Sequence, residues 1–156
     1  MNLPGCDLRT RARILAAALL LALPFPARAV LGDSAASVLA DQARMKGTLR
    51  SVDNRTYVMH EITTSGTVVR EYVSPAGAVF GVAWEGQFLP DFQQLLGPYY
   101  AQANQATSQQ PRPRRAPIVI ATPGLVFQQT GHTRSFHGIA YIPQLLPNGV
   151  QASDIR

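Results

Sequence analysis

Between residues 56 and 84 the chain alternates short apolar runs with turn residues, and that pattern limits its fold more than any other feature. Thr56 to Thr63, Thr67 to Ser74 and Ala78 to Trp84 are rich in Val, Ile, Thr, Tyr and Phe. They are parted by Ser65-Gly66 and by Pro75-Ala76-Gly77. The spacing predicts a three-stranded antiparallel meander. With Ser65-Gly66 as the turn, Ile62 faces Val69, His60 faces Glu71, Val58 faces Val73, Glu61 meets Arg70 and Met59 meets Tyr72. Opposite charges meet in this register, which favours it over a longer loop that would lose the pairing.

The second turn, taken over Pro75-Ala76-Gly77, places Tyr72 opposite Phe80 and Val68 opposite Trp84. One face then carries Met59, Tyr72, Phe80, Val82 and Trp84, and the other Val58, Ile62, Val69, Val73 and Val79. Both are substantially apolar. One is expected to pack against helices, and the other to meet a second layer or remain as a binding surface. The set Met59, Tyr72, Phe80 and Trp84 reads first as core. The alternative is a groove for a peptide or a lipid tail.

On the N-terminal side, Ala35 to Lys46 reads as a helix with Asp33 as its cap, Lys46 in its last turn and Gly47 in the left-handed position after it. Leu89 to Pro98 reads as a short helix, with Pro90 and Asp91 at its start, Phe92, Leu95 and Leu96 on one stripe, and Gly97-Pro98 as its stop. Ala101 to Pro117 is polar and lacks large apolar residues, which predicts a flexible loop. Strand character resumes at Ile118 to Ala121, Leu125 to Thr130 and Ser135 to Ile142, before a turn at Pro147-Asn148-Gly149. The expected fold is α+β: an antiparallel sheet of about five to six strands, with one N-terminal helix and one short helix.

Residues 1–29 are set apart from that body. Arg9, Arg11 and Arg13 precede the uncharged run Ile14 to Leu23, Pro24 and Pro26 break it, and Ala27-Arg28-Ala29 has the form of a cleavage site. These are the parts of a secretory signal peptide, and the apolar run is shorter than the roughly 20 residues that span a bilayer. No other stretch suggests a transmembrane segment. The expected mature chain, residues 30–156, forms a single small domain and is exported to the periplasm or beyond. It retains ten Lys/Arg against eight Asp/Glu, so the high isoelectric point does not point to nucleic acid. The lone cysteine, Cys6, precedes the apolar run, which leaves the mature chain without disulfides, thiolate metal sites or cysteine nucleophiles. A core alone must then hold it, and a chain of this size buries roughly two-thirds of its unfolded surface.

Candidate chemistry is sparse. His132 and His137 stand five apart, which on one extended strand places them on opposite faces. No spacing motif calls for a metal or cofactor. The sharpest catalytic possibility is a His60, Glu71 and His137 cluster, formed if the C-terminal strand lies beside the meander. None of the serines lies in a nucleophile motif. The acidic residues are dispersed, and capping or pairing with Arg70 explains several of them. Arg112, Arg114 and Arg115 form the one basic cluster in the mature chain. Its plain reading is a solvated linker. Its functional reading is contact with anionic envelope material, where Arg binds phosphate through paired N–H groups.

The runs Val68-Val69-Arg70-Glu71-Tyr72-Val73-Ser74-Pro75-Ala76-Gly77, Pro90-Asp91-Phe92-Gln93-Gln94-Leu95-Leu96-Gly97 and Arg134-Ser135-Phe136-His137-Gly138 resemble a bacterial family of exported proteins, domain of unknown function 2844. The resemblance covers essentially the whole mature chain, with residues 101–117 as its variable part. It implies a cell-envelope setting and brings no activity, cofactor or catalytic residue. The expected function is therefore non-enzymatic, binding or structural, with an envelope protein or an anionic envelope component as partner. The rival is a small periplasmic hydrolase or metal-dependent enzyme built on the His/Glu cluster. That rival requires the polar groups to converge in a pocket, whereas binding requires an open face or a free sheet edge.

Overall fold

A computed structural model describes residues 31–109 and 116–156. The predicted leader and Arg112, Arg114 and Arg115 lie outside these residues. Seven strands, β1 (Thr48–Asp53), β2 (Val58–Thr63), β3 (Thr67–Val73), β4 (Val79–Gly86), β5 (Ile118–Ala121), β6 (Val126–His132) and β7 (Ser135–Tyr141), form one antiparallel sheet. Their order is β1-β2-β3-β4-β7-β6-β5. Two meanders thus meet side by side along β4 and β7. Helices α1 (Ser37–Met45), α2 (Phe92–Leu96) and α3 (Tyr99–Gln109) complete the fold, which is α+β as expected. Helices α2 and α3 carry the chain from the middle of the sheet to its far edge.

The first hairpin has the expected register in full: Val58 with Val73, Met59 with Tyr72, His60 with Glu71, Glu61 with Arg70 and Ile62 with Val69. The second does not. Tyr72 lies opposite Gly81 rather than Phe80, and Val69 rather than Val68 lies opposite Trp84. A bulge between Tyr72 and Val73 accounts for the shift, because Val73 pairs with Val79 and leaves Phe80 as the extra residue. Beyond it Val82 and Trp84 face the helices, while Phe80 stays with Tyr72 on the other side. The predicted aromatic face is split accordingly: Met59, Tyr72 and Phe80 share the outer face, and Trp84 belongs to the inner core.

Four more expectations need correction. The sheet has seven strands, because Thr48–Asp53 forms an edge strand with only Leu49 and Val52 as apolar residues. Residues Tyr99–Gln109 are helical rather than a loop. Alanine and glutamine are strong helix formers, but Ala103 is the only fully buried residue of this helix, so no large apolar stripe marks it. At the end of α1, Lys46 takes the left-handed conformation at φ 51°. Gly47 serves a different need, since a Cβ there would lie 2.6 Å from an Ile62 methyl. Asp33 does not cap α1; its carboxylate accepts from the Ser34 N–H.

The inner core joins Val38 of α1, Leu95 and Leu96 of α2 and Ala103 of α3 to Val69, Val82, Trp84 and Phe127 of the sheet. Asp91 starts α2 as expected, its carboxylate accepting from the Gln93 and Gln94 N–H groups at 2.9 and 3.2 Å. Phe92 then stacks edge-on against Trp84 and Phe127, at 5.0 and 5.6 Å between ring centres. The Trp84 ring occupies the space over Gly138 on β7, where an added Cβ would sit 2.4 Å from the indole.

Gly138→Ala should therefore overpack the centre of the sheet. A loss of about 1–3 kcal/mol is expected in urea unfolding, read from the midpoint with an unchanged slope. Wild-type stability in that variant would show that the indole is not confined there.

Candidate functional site

The two faces of the sheet carry different chemistry. On the inner face one cross-strand row runs Ser51, His60, Glu71, Val82, Ala140, Phe127 and Ile120. Glu71 alternates with Val69 and Val73, so it points under the helices and is only 2% exposed. Asp41 of α1 meets it there at 1% exposure. The Gln94 side-chain amide of α2 donates to one Asp41 oxygen. The other Asp41 oxygen and both Glu71 oxygens have no N–H or hydroxyl donor. A carboxyl that keeps its proton can donate it to the other, which pairs two of these three oxygens.

Burial is the main force on both acids. It pushes Glu71 up to about 9, with the Asp41 charge adding to the rise. It lifts Asp41 to about 6 against the opposing hydrogen bond from Gln94. The pair therefore holds a proton at neutral pH. Among the described residues both acids are almost fully enclosed, at 1% and 2% exposure.

Ser51 and His60 continue the row toward the edge, with Ser51 Oγ 2.7 Å from His60 Nδ1. Burial lowers the affinity of His60 for its proton. Ser51 belongs to the edge strand hidden in the sequence, so this contact was not foreseen. Serine, histidine and glutamate stand in order, but Glu71 turns to Asp41 and accepts nothing from His60. The base lacks the carboxylate that a nucleophilic serine site would use to orient it.

His137 lies on the outer face, between Glu85 on β4 and Thr130 on β6. The sheet thus separates it from His60 and Glu71, and the three do not come together. Among the described residues no group of three or more His, Cys, Asp or Glu side chains gathers as a metal ion would require. His132 and His137 lie on the two arms of a hairpin, because the turn falls at Thr133-Arg134 and β6 extends to His132.

On that outer face Arg70 bridges Glu61 and Glu85 at 2.8 and 2.6 Å. Beside it the C-terminal segment crosses the sheet. Ile155 is buried against Tyr72, Phe80 and Ala83, and a Cβ on Gly81 would lie 2.8 Å from its side chain. The Tyr72 hydroxyl donates to the Arg156 carbonyl at 2.7 Å and accepts from the Arg156 N–H at 3.0 Å. Burial raises the Tyr72 pKa. Beside this strap lies a depression of about 320 Å³, lined in part by Ile139, Ile155, Gln128, Thr130, His137 and Arg70.

These features define an antiparallel α+β protein with a closed, acid-containing inner face and a partly covered outer one. The chain belongs to the family described as "Protein of unknown function (DUF2844)", which matches residues 27–155. No curated protein and no solved structure matches it.

The acid pair sets the pH dependence of stability. Both carboxyls hold protons more tightly folded than unfolded, so their contribution is fully present below the ordinary carboxylate range and is lost as pH rises through the folded values. Stability should fall between about pH 4.5 and about pH 9, by at most about 1.4 kcal/mol per pH unit for each group. Glu71→Gln, which still offers an N–H to Asp41, should flatten the decline in a series of urea titrations. A wild-type profile that rises across this window would contradict the shared proton.

Proposed function

We propose that this chain is exported to the bacterial cell envelope and works there by binding rather than catalysis, through the outer face of its sheet. The observation that carries the reading is the depression beside the C-terminal strap. Its lining combines the apolar side chains of Ile139 and Ile155 with the polar ones of Arg70, Gln128, Thr130 and His137. That composition suits a partner segment with a few apolar side chains. The basic, apolar and small-residue regions of residues 1–29 support export. Among the described residues no helix is long and apolar enough to cross a membrane. Arg112, Arg114 and Arg115 add a second proposed contact, with phosphate-bearing envelope material.

The test is crosslinking capture from native envelopes. Gln128 and Thr130 are exposed side chains on the outer face, so Q128R/T130R fills the depression without entering the core. The double variant should melt as the wild type does and retain less than a tenth of the captured partner. Equal capture by both proteins would refute the assignment of this face. Changing the three arginines to Gln in the same assay should lower the salt-sensitive part of the signal. Finding the intact leader on cytosolic protein would refute export.

A further inference from the structure

Helix α1 is docked largely by polar contacts. Its buried residues are Ser37, Val38 and Asp41, and Val38 is the only apolar side chain among them. The chain is anchored on both sides of it. Before the helix, the Leu31 N–H donates to the Leu95 carbonyl at 3.0 Å, and the Gly32 and Ala35 N–H groups donate to Val79 and Gly77, each at 2.8 Å. After it, β1 pairs along its whole length with β2. A helix held this way can leave the sheet while both of its ends stay in place.

We propose that the Asp41–Glu71 pair is a proton-held latch, which keeps α1 docked while one carboxyl carries a proton and frees it when alkaline conditions remove that proton. The geometry leaves no substitute for the proton. Both groups are almost fully enclosed, and three of their four oxygens have no other donor. The groups facing the pair are Gln94 from α2, His60 across from Glu71 on β2, and Val82 across from it on β4. Arg44 on α1 favours the ionised form of Asp41, and Asp91 at the start of α2 opposes it. Among the described residues no cation acts on Glu71. Two adjacent buried anions repel strongly, and the contact that yields is the one with least apolar area behind it. Release uncovers the inner surface of β2 and β3, including Ile62 and Val69. The latch lies on the opposite side of the sheet from the proposed binding face and does not rest on that assignment.

Trypsin reads the device directly, because Arg44 and Lys46 flank the end of α1. The purified chain is digested briefly from pH 7 to pH 10, with each rate divided by that of an unstructured reference peptide. Cleavage after Arg44 should rise at least ten-fold across the range in the wild type and stay level in Glu71→Gln. The same rise in both proteins, or none in the wild type, would overturn the latch. Carbon-13 NMR of the wild-type carboxyls decides the matter even if the variant does not fold. A Glu71 carboxyl still protonated at pH 7, losing its proton together with a shift of the Ser37–Met45 amide signals, supports the proposal. A Glu71 already ionised at pH 7 refutes it.

Discussion

The burial of β4 on both faces governs the rest of the molecule. From Val79 to Trp84 every residue of this strand is enclosed, and it is the middle strand of seven. A strand in that position needs apolar side chains above and below, and each meander can complete its hydrogen bonds only by laying a strand against one of its edges. The bulge at Phe80 follows from the same demand. It lets Phe80 and Gly81 both serve the outer face, where Ile155 packs, while Val79, Val82 and Trp84 serve the inner one. A strand in strict alternation would have sent Trp84 outward, away from Phe92 and Phe127.

That division gives the two faces different capacities. Three helices cover the inner face around Asp41 and Glu71 and keep that pair buried, where a carboxyl proton becomes a structural component. The outer face is covered mainly by a strap that crosses a few strands, and its charged groups stay near solvent. The Arg70 bridge to Glu61 and Glu85 adds little stability at such exposure, but it fixes side chains at the rim of the depression. The proposed recognition therefore falls on the outer face, and the proposed response to pH on the inner one.

Much of this was legible from residue order. The first hairpin was readable because its turn is short and its charges pair in only one register. The short helix was readable from Asp91 and the Phe92, Leu95 and Leu96 stripe. The second hairpin was not, because Val79 to Trp84 is apolar on both faces and a slip of one residue leaves the pattern almost unchanged. Strand β1 was hidden by the polar composition of an exposed edge, and α3 by the absence of large apolar residues. The acid pair left a partial signal. Glu71 alternates with Val69 and Val73, so the sequence already placed a carboxylate on an apolar face. Its partner could not be read, since Asp41 lies on a helix thirty residues earlier and nothing local specifies that they meet.

The distribution of apolar contacts explains why α1 is the element that can respond. A fully buried leucine or phenylalanine stabilises by about 1.5–3 kcal/mol relative to exposure. Helix α2 commits Leu95 and Leu96 to the core and stacks Phe92 on two aromatic rings, so several such contributions hold it whatever the charge on Glu71. Helix α1 has Val38, a partly buried Met45 and an acid pair, and a pair of this kind is not what stability alone would select. Replacing buried polar partners with well-packed apolar ones is commonly neutral or stabilising, whereas leaving a buried charge unpaired costs about 3–5 kcal/mol. An apolar pair, with leucine at position 71 beside its valines and an apolar residue at position 41, would hold the helix at every pH. With glutamate there instead, the attachment of α1 becomes conditional on one proton, while the central strand and the second meander remain indifferent to it.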